Sequence, residues 1–170
     1  MSGIGLGDNM TTTIEEIAKI LIERNLKIAT TESCTGGLLS SKFTDVSGSS
    51  AFVHLNLVTY ANEAKHKMLG VRIETLENFG AVSEECAYEM ASGLMKLTGA
   101  DICISTTGIA GPTGGTAEKP VGLMYSTICT KDKAITFETR LHPEIPRIEM
   151  KEMFTQSVLE KLYKFLSEQK

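Results

Sequence analysis

The apolar residues near the start of the chain repeat at the spacing of a helix. Ile14, Ile17 and Leu21 follow one another at intervals of three or four positions, which places them on one helical face. Thr13 has a glutamate three residues later, and this capping-box spacing predicts that the helix begins there and runs to about Glu23.

Further along, the pattern alternates between strands and helices. Runs rich in β-branched and apolar residues predict strands at about 27–31, 51–60, 101–106, 122–130 and 134–141. Helical spacing predicts helices at about 37–45, in the segments NEAKHKML and TLENFG, from Ser83 to Gly99 and near the C-terminus. This mixture of long crossovers with a hairpin predicts an α/β fold: a three-layer α/β/α sandwich with a mixed β-sheet.

The length predicts one domain. The chain has 170 residues, of which 42% are apolar and 22% are charged, which is ordinary usage for a globular protein. Residues 1–11 contain three glycines with no strand before them, so we expect a flexible tail there and the folded domain at 12–170.

Charge and hydropathy narrow the choice of partners. The formal net charge is −4 and no long basic run is present, so nucleic acid is not expected as a partner. The apolar runs are far shorter than the roughly 20 residues that a membrane-spanning helix needs, and the N-terminus has no signal-peptide pattern. We therefore expect a cytoplasmic protein that does not bind membranes.

The cysteines and histidines do not have the spacing of a metal site. Cys34, Cys86, Cys103 and Cys129 are scattered, with no CxxC, and the three histidines are far apart. We expect reduced thiols, and neither a metal nor a cofactor.

Three segments rich in small polar residues are the candidates for chemistry, because each lies at the end of a predicted strand. They read TESCTGG, GSSAFVHLNLVTYANEAK and TTGIAGPTGGTAEKPVG. The backbone N–H groups of the first and third can bind an anion, but either segment can equally be a simple turn.

The second segment carries Ser50, Tyr60 and Lys65. A desolvated lysine can take the proton of a serine and make it a nucleophile, although isolated serines and lysines are common on protein surfaces. Cys34 lies at a predicted helix N-terminus, where a thiol can be reactive, but no histidine stands out as its base; a packing role is favoured.

Five motifs, TESCTGG, GSSAFV, VTYANEAK, GAVSEE and TTGIAGPTGGTAEKPVG, occur in the order and at the intervals typical of one family. In these motifs the chain resembles the C-terminal domain of the CinA family over residues 12–166. Full-length CinA proteins carry an additional N-terminal domain, which this sequence lacks, so the resemblance predicts the stand-alone form.

The resemblance implies an amidohydrolase that converts nicotinamide mononucleotide to nicotinate mononucleotide and ammonia without a metal. It implies Ser50 as nucleophile, Lys65 as base and Tyr60 as proton relay. As substrate-binding residues it implies Ser33, Thr35, Gly36, Thr107, Gly108 and Arg147. This chain has Ala61 where many relatives have serine.

Two alternatives stay open at this point. The first is a non-catalytic module that senses a nucleotide or binds a protein in the competence or damage response. The second is a hydrolase with the same mechanism and a different amide substrate. The apolar strands and the long amphipathic helix are compatible with a homodimer.

Overall fold

A single sheet of five strands organises the fold, and its strand order is β2-β1-β3-β4-β5. The structure is a computed structural model and describes residues 6–169. The strands are Ile28–Glu32 (β1), Val53–Val58 (β2), Ile102–Gly108 (β3), Leu123–Cys129 (β4) and Ala134–Arg140 (β5). β1 is parallel to β2 and β3, whereas β3, β4 and β5 pair antiparallel in sequence order. The mixed sheet predicted from the sequence is confirmed.

Six α-helices and one short 3₁₀-helix surround this sheet among the described residues. The α-helices are Leu6–Glu23 (α1), Leu38–Thr44 (α2), Asn62–Leu69 (α3), Ile73–Phe79 (α4), Glu84–Thr98 (α5) and Arg147–Glu168 (α6), and the 3₁₀-helix is Ser49–Ala51. Local signals set several of these bounds. The Ser83 hydroxyl accepts a hydrogen bond from Cys86 N at the start of α5, and Gly99 ends that helix in the left-handed conformation.

The helices bury apolar side chains on both faces of the sheet. On one face, α1, α2 and α6 pack together and share a core that includes Ile17, Leu39 and Phe154. On the other face α5 covers the central strands, with α3 and α4 beside it, and Met90 and Leu94 lie in the core there. This arrangement confirms the three-layer α/β/α sandwich.

The first helix is longer than its sequence signals predict. It begins at Leu6, so Thr13 lies inside the helix and does not cap it, and residues 6–11 of the predicted tail are helical. The reason is that Met10, four residues before Ile14, is also buried and extends the apolar face upstream. Residues 1–5 lie outside the described part of the chain.

The topology gathers several loops at one edge of the sheet. The crossover from β1 to β2 runs through α2 on one face, and the crossover from β2 to β3 runs through α3 to α5 on the other. β1 therefore lies where the chain switches direction, and in such sheets ligands bind outside the carboxyl ends of the strands. The segments that follow Glu32, Val58 and Gly108 all meet at that edge.

No helix in the described part of the chain is long and apolar enough to cross a membrane.

Candidate active site

A serine and a lysine contact each other at the carboxyl edge of the parallel strands. Ser33 is the first residue after β1, and Lys65 lies in the first turn of α3, which follows β2. Lys65 Nζ donates to Ser33 Oγ at 3.0 Å, and also to the backbone carbonyls of Thr59 at 2.9 Å and Tyr60 at 2.8 Å. The amine thus has three acceptors, of which only one is a side chain.

The Lys65 side chain is withdrawn from water. It is 1% exposed, which is unusual for a lysine, since this residue type is almost never fully buried without a partner. Burial lowers the pKa of Lys65, while interactions with the thiols of Cys86 and Cys34 act in the opposite direction. The neutral form of this amine is therefore more accessible than that of a surface lysine.

The turn that carries Ser33 is held by the buried carboxylate of Glu32. Its Oε1 accepts from Thr35 Oγ1 at 2.6 Å and from Leu39 N at 2.8 Å, and its Oε2 accepts from Ser40 N at 2.9 Å and from the Ser40 hydroxyl. The carboxylate therefore joins the end of β1 to the first turn of α2. Thr106 of β3 extends this network, because its hydroxyl lies 2.8 Å from that of Thr35.

The backbone after Ser33 has donors that no other residue uses. In the part of the chain that the structure describes, the N–H group of Thr35 makes no hydrogen bond, and that of Cys34 contacts only its own thiol. Such donors beside a nucleophile can stabilise the negative oxygen of a tetrahedral intermediate.

A small cavity lies next to this turn. It has a volume of about 190 Å³ and is lined by Cys34, Tyr60, Arg147 and the glycine-rich loop that follows β3. The Arg147 guanidinium donates to the Gly111 carbonyl at 2.7 Å and to Tyr60 Oη at 3.1 Å. Arg147 thus joins the segment after β2 to the loop after β3.

The two parts of Tyr60 have different neighbours. The backbone carbonyl contacts Lys65, whereas the phenol contacts Arg147, and the residue as a whole is 59% exposed. The phenol therefore lies at the cavity and not at the amine of Lys65.

The structure places the other predicted binding residues at this edge, but some of their side chains point inward. The Thr35 hydroxyl is used by Glu32 and Thr106, and the Thr107 hydroxyl donates to the Ala81 carbonyl at 2.7 Å. Gly108 lines the cavity, and a Cβ there would lie 2.7 Å from the Leu123 carbonyl oxygen.

Gly36 is exposed in the turn after β1 and has a φ of +59°. A Cβ at this position would lie 3.6 Å from the amine of Lys151 in α6. Sequence reasoning missed both Lys151 and Glu32. For Lys151 the signal was its position four residues after Arg147, which puts both on one helical face.

The structure does not bring Ser50 to this site. Ser50 lies in the 3₁₀-helix before β2, where the neighbouring carbonyls of Ala51 and Phe52 accept hydrogen bonds from Lys27 and Ile28 at the start of β1. Lys65 follows the other end of β2, and the six residues of that strand span roughly 20 Å at about 3.3 Å each. Lys65 therefore cannot take the proton of Ser50 within this chain, and the predicted pairing of these two residues is wrong.

Cys34 has the environment of a packing residue. Its side chain is 5% exposed, and burial raises the pKa of its thiol to about 12, although a hydrogen bond with Thr106 acts in the opposite direction. All four cysteines are buried and free. Among the described residues, no group of three or more histidine, cysteine or acidic side chains is arranged to hold a metal.

The sequence and the structure are both similar to those of known proteins. Residues 10–166 match the family described as the CinA C-terminal domain. A CinA-like protein of Chlorobium limicola is 47% identical over 161 residues, which are 92% of this chain and 38% of that protein. The chain spans between 28% and 38% of the length of the curated relatives that it matches.

Two crystal structures superpose closely on this one. The competence/damage inducible protein CihA of Agrobacterium tumefaciens has a TM-score of 0.91 at 38% identity, covering 99% of this chain and 100% of that one. The competence damage-inducible protein A of Klebsiella pneumoniae has a TM-score of 0.90 at 33% identity, covering 95% and 99%.

Proposed function

The chain belongs to the CinA C-terminal domain family, and we propose that it is an amidohydrolase that converts nicotinamide mononucleotide to nicotinate mononucleotide and ammonia. The observation that carries the proposal is the contact between Ser33 Oγ and the buried amine of Lys65 at 3.0 Å. The substrate is the one that the sequence resemblance implies. In the proposed mechanism Ser33 replaces Ser50 as the nucleophile.

The hydrogen bonds of Lys65 fit the role of a general base. A neutral amine has two N–H donors and one lone pair. The carbonyls of Thr59 and Tyr60 accept two hydrogen bonds from Nζ, so the lone pair of the neutral form is left for the proton of Ser33. Because burial lowers the pKa of Lys65, this neutral form is available at lower pH than it is for an exposed lysine.

The reaction then proceeds by acyl transfer. Ser33 Oγ attacks the carboxamide carbon as Lys65 accepts the hydroxyl proton, and the resulting oxyanion is stabilised by the N–H groups of Cys34 and Thr35. Lys65 returns the proton to the departing nitrogen, the C–N bond breaks and ammonia leaves. A water molecule, deprotonated by the same amine, attacks the acyl ester and releases the carboxylate together with free Ser33.

We assign the phenol of Tyr60 to substrate binding, because its hydroxyl contacts Arg147 and not Lys65. Arg147 and the glycine-rich loop around Gly111 line the cavity beside the nucleophile. A guanidinium is well suited to a phosphate, so we assign the phosphate end of the substrate to this cavity.

The test compares Ser33→Ala with Ser50→Ala, which serves as a matched control on the opposite edge of the sheet. Purified protein is incubated with nicotinamide mononucleotide, and ammonia release is measured. We expect Ser33→Ala to lower kcat by a factor on the order of 10⁴ and Ser50→Ala to stay within about twofold of the wild type. The opposite pattern would refute the assignment of the nucleophile.

The same assay separates the proposal from the two alternatives. A folded wild-type protein that binds nicotinamide mononucleotide and releases no ammonia would favour a sensing module. Release of ammonia from a different amide only, with the same loss in Ser33→Ala, would retain the mechanism and change the substrate.

A further inference from the structure

We propose that Lys151 is a specificity-determining residue, which holds the phosphate of the substrate together with Arg147 and selects phosphate monoesters over unphosphorylated nucleosides. This inference rests on the proposed function, because it concerns the substrate of the same site. Its evidence is separate from the contact of Ser33 with Lys65.

The position of Lys151 follows from the periodicity of α6. Met150 and Phe154 are buried at a spacing of four residues and fix the face of the helix that meets the rest of the fold. Arg147 and Lys151 have the same spacing and lie next to this buried face. Both therefore project at the edge of the sheet where the turn after β1 and the glycine-rich loop meet.

The amine of Lys151 reaches the turn that carries the nucleophile. It lies 3.6 Å from the position that a Cβ on Gly36 would occupy, three residues after Ser33. This distance is an ordinary van der Waals contact, so the amine lies directly against the backbone of the turn, and the φ of +59° at position 36 favours glycine.

The charge of Lys151 is not neutralised. Within residues 6–169 its amine makes no hydrogen bond and no ion pair, although the side chain is partly buried. Holding a long cationic side chain in a partly buried position without a partner costs conformational entropy and solvation. An anionic ligand at the cavity would offset both costs.

Arg147 also retains its full charge, since both of its acceptors, the Gly111 carbonyl and the Tyr60 hydroxyl, are neutral. Arg147 lines the cavity, and Lys151 of the same helix lies beside the turn after β1, whose Cys34 also lines it. The Glu32 carboxylate in this turn already accepts hydrogen bonds from the first turn of α2. A phosphate monoester carries nearly two negative charges at neutral pH, which two cations balance. A nucleoside without phosphate offers neither cation a partner.

The experiment measures binding by titration calorimetry, with ribose 5-phosphate and ribose as probes. The variants are Lys151→Met and Lys151→Arg, with Lys164→Met as a control on the exposed surface of the same helix. We expect Lys151→Met to weaken binding of ribose 5-phosphate by on the order of tenfold, as for the loss of one charge-assisted hydrogen bond. Lys151→Arg should retain most of the wild-type affinity for ribose 5-phosphate, and Lys164→Met should bind it as tightly as the wild type.

A kinetic measurement adds a readout that a merely structural role would not change. With nicotinamide mononucleotide, Lys151→Met should raise KM by a similar factor while kcat stays within about twofold, whereas turnover of nicotinamide riboside should not change. Equal affinity of wild type and Lys151→Met for ribose 5-phosphate, or failure of the wild type to bind it, would overturn the inference. If Lys151→Met lost affinity for ribose 5-phosphate while the wild type bound it but released no ammonia, the phosphate-binding role of Lys151 would be supported and the amidohydrolase activity refuted.

Discussion

Replacing Glu32 by glutamine tests how the turn that carries Ser33 is built. The substitution keeps the size and shape of the side chain and removes its charge. Glu32 is fully buried and accepts four hydrogen bonds, from the Thr35 hydroxyl, Leu39 N, Ser40 N and the Ser40 hydroxyl. A glutamine has one oxygen and one amide nitrogen, so it can accept hydrogen bonds only from the donors that face its oxygen: either Thr35 and Leu39, or Ser40.

The magnitude follows from the donors that lose their acceptor. Suppose that the glutamine oxygen keeps the hydrogen bonds from Thr35 and Leu39. The glutamine NH₂ group then faces Ser40, whose hydroxyl can rotate to accept from it. The backbone N–H of Ser40 is left without an acceptor. Leaving this partly buried donor unpaired costs an amount toward the lower end of about 1–3 kcal/mol, and the remaining hydrogen bonds lose the contribution of a charged acceptor. We expect a total loss of about 3–4 kcal/mol. At about 2–4 °C per kcal/mol for a chain of this size, Tm falls by roughly 10 °C.

Thermal unfolding followed by circular dichroism at neutral pH measures this loss. Glu77→Gln provides a matched control, because Glu77 is exposed on α4 and its side chain makes no hydrogen bond or ion pair within the described residues. It should leave Tm within about 2 °C of the wild type, as most surface substitutions do. If Glu32→Gln changed Tm as little as the control, the carboxylate would not be what holds this turn.

The remaining predictions concern pH, reactivity and packing. Because Lys65 must be neutral to accept a proton and its pKa is lowered by burial, kcat/KM should rise with pH and level off above that pKa; a decline over this range would contradict its role as base. Burial raises the pKa of Cys34 to about 12, so iodoacetamide at pH 7.5 should leave it unmodified, and Cys34→Ser should keep most of the turnover. Gly93→Ala should destabilise in urea by about 2 kcal/mol, although alanine normally stabilises a helix, because its Cβ would lie 1.8 Å from the Leu69 carbonyl oxygen. Ser92→Ala, at the partly exposed adjacent position, serves as its control.

Most of the fold was predictable because local signals determine it. The segment NEAKHKML has the bounds predicted for α3, and Ser83 and Gly99 mark the ends of α5 as expected. The five strands lie within about two residues of their predicted positions. The start of α1 was not predictable from its capping pattern, since burial of Met10 against the core extends the helix, and this contact depends on the tertiary structure.

The candidate site was predictable in part. Lys65, Tyr60, Arg147 and the two glycine-rich turns meet at one edge, as their positions after strands suggested. The partner of Lys65 was predicted wrongly, because the pairing of Ser50 with Lys65 neglected the direction of β2. The correct partner depends on which strands are neighbours, and this is a property of the sheet that no local motif reports.

The direction of the strands also explains why the site draws on such distant parts of the chain. β1, β2 and β3 are parallel. The chain reverses direction between β3 and β4 and again between β4 and β5, so β5 runs in the same direction as β3. All four strands therefore end at one edge. That edge receives Ser33 after β1, Lys65 after β2, the glycine-rich loop after β3 and the start of α6 after β5. A residue that precedes any of these strands lies at the opposite edge, so any function of Ser50 in this chain must be independent of Lys65. Under the proposed mechanism the reacting hydroxyl must lie within reach of the Lys65 amine at this carboxyl edge, and the hydroxyl that this amine contacts is that of Ser33.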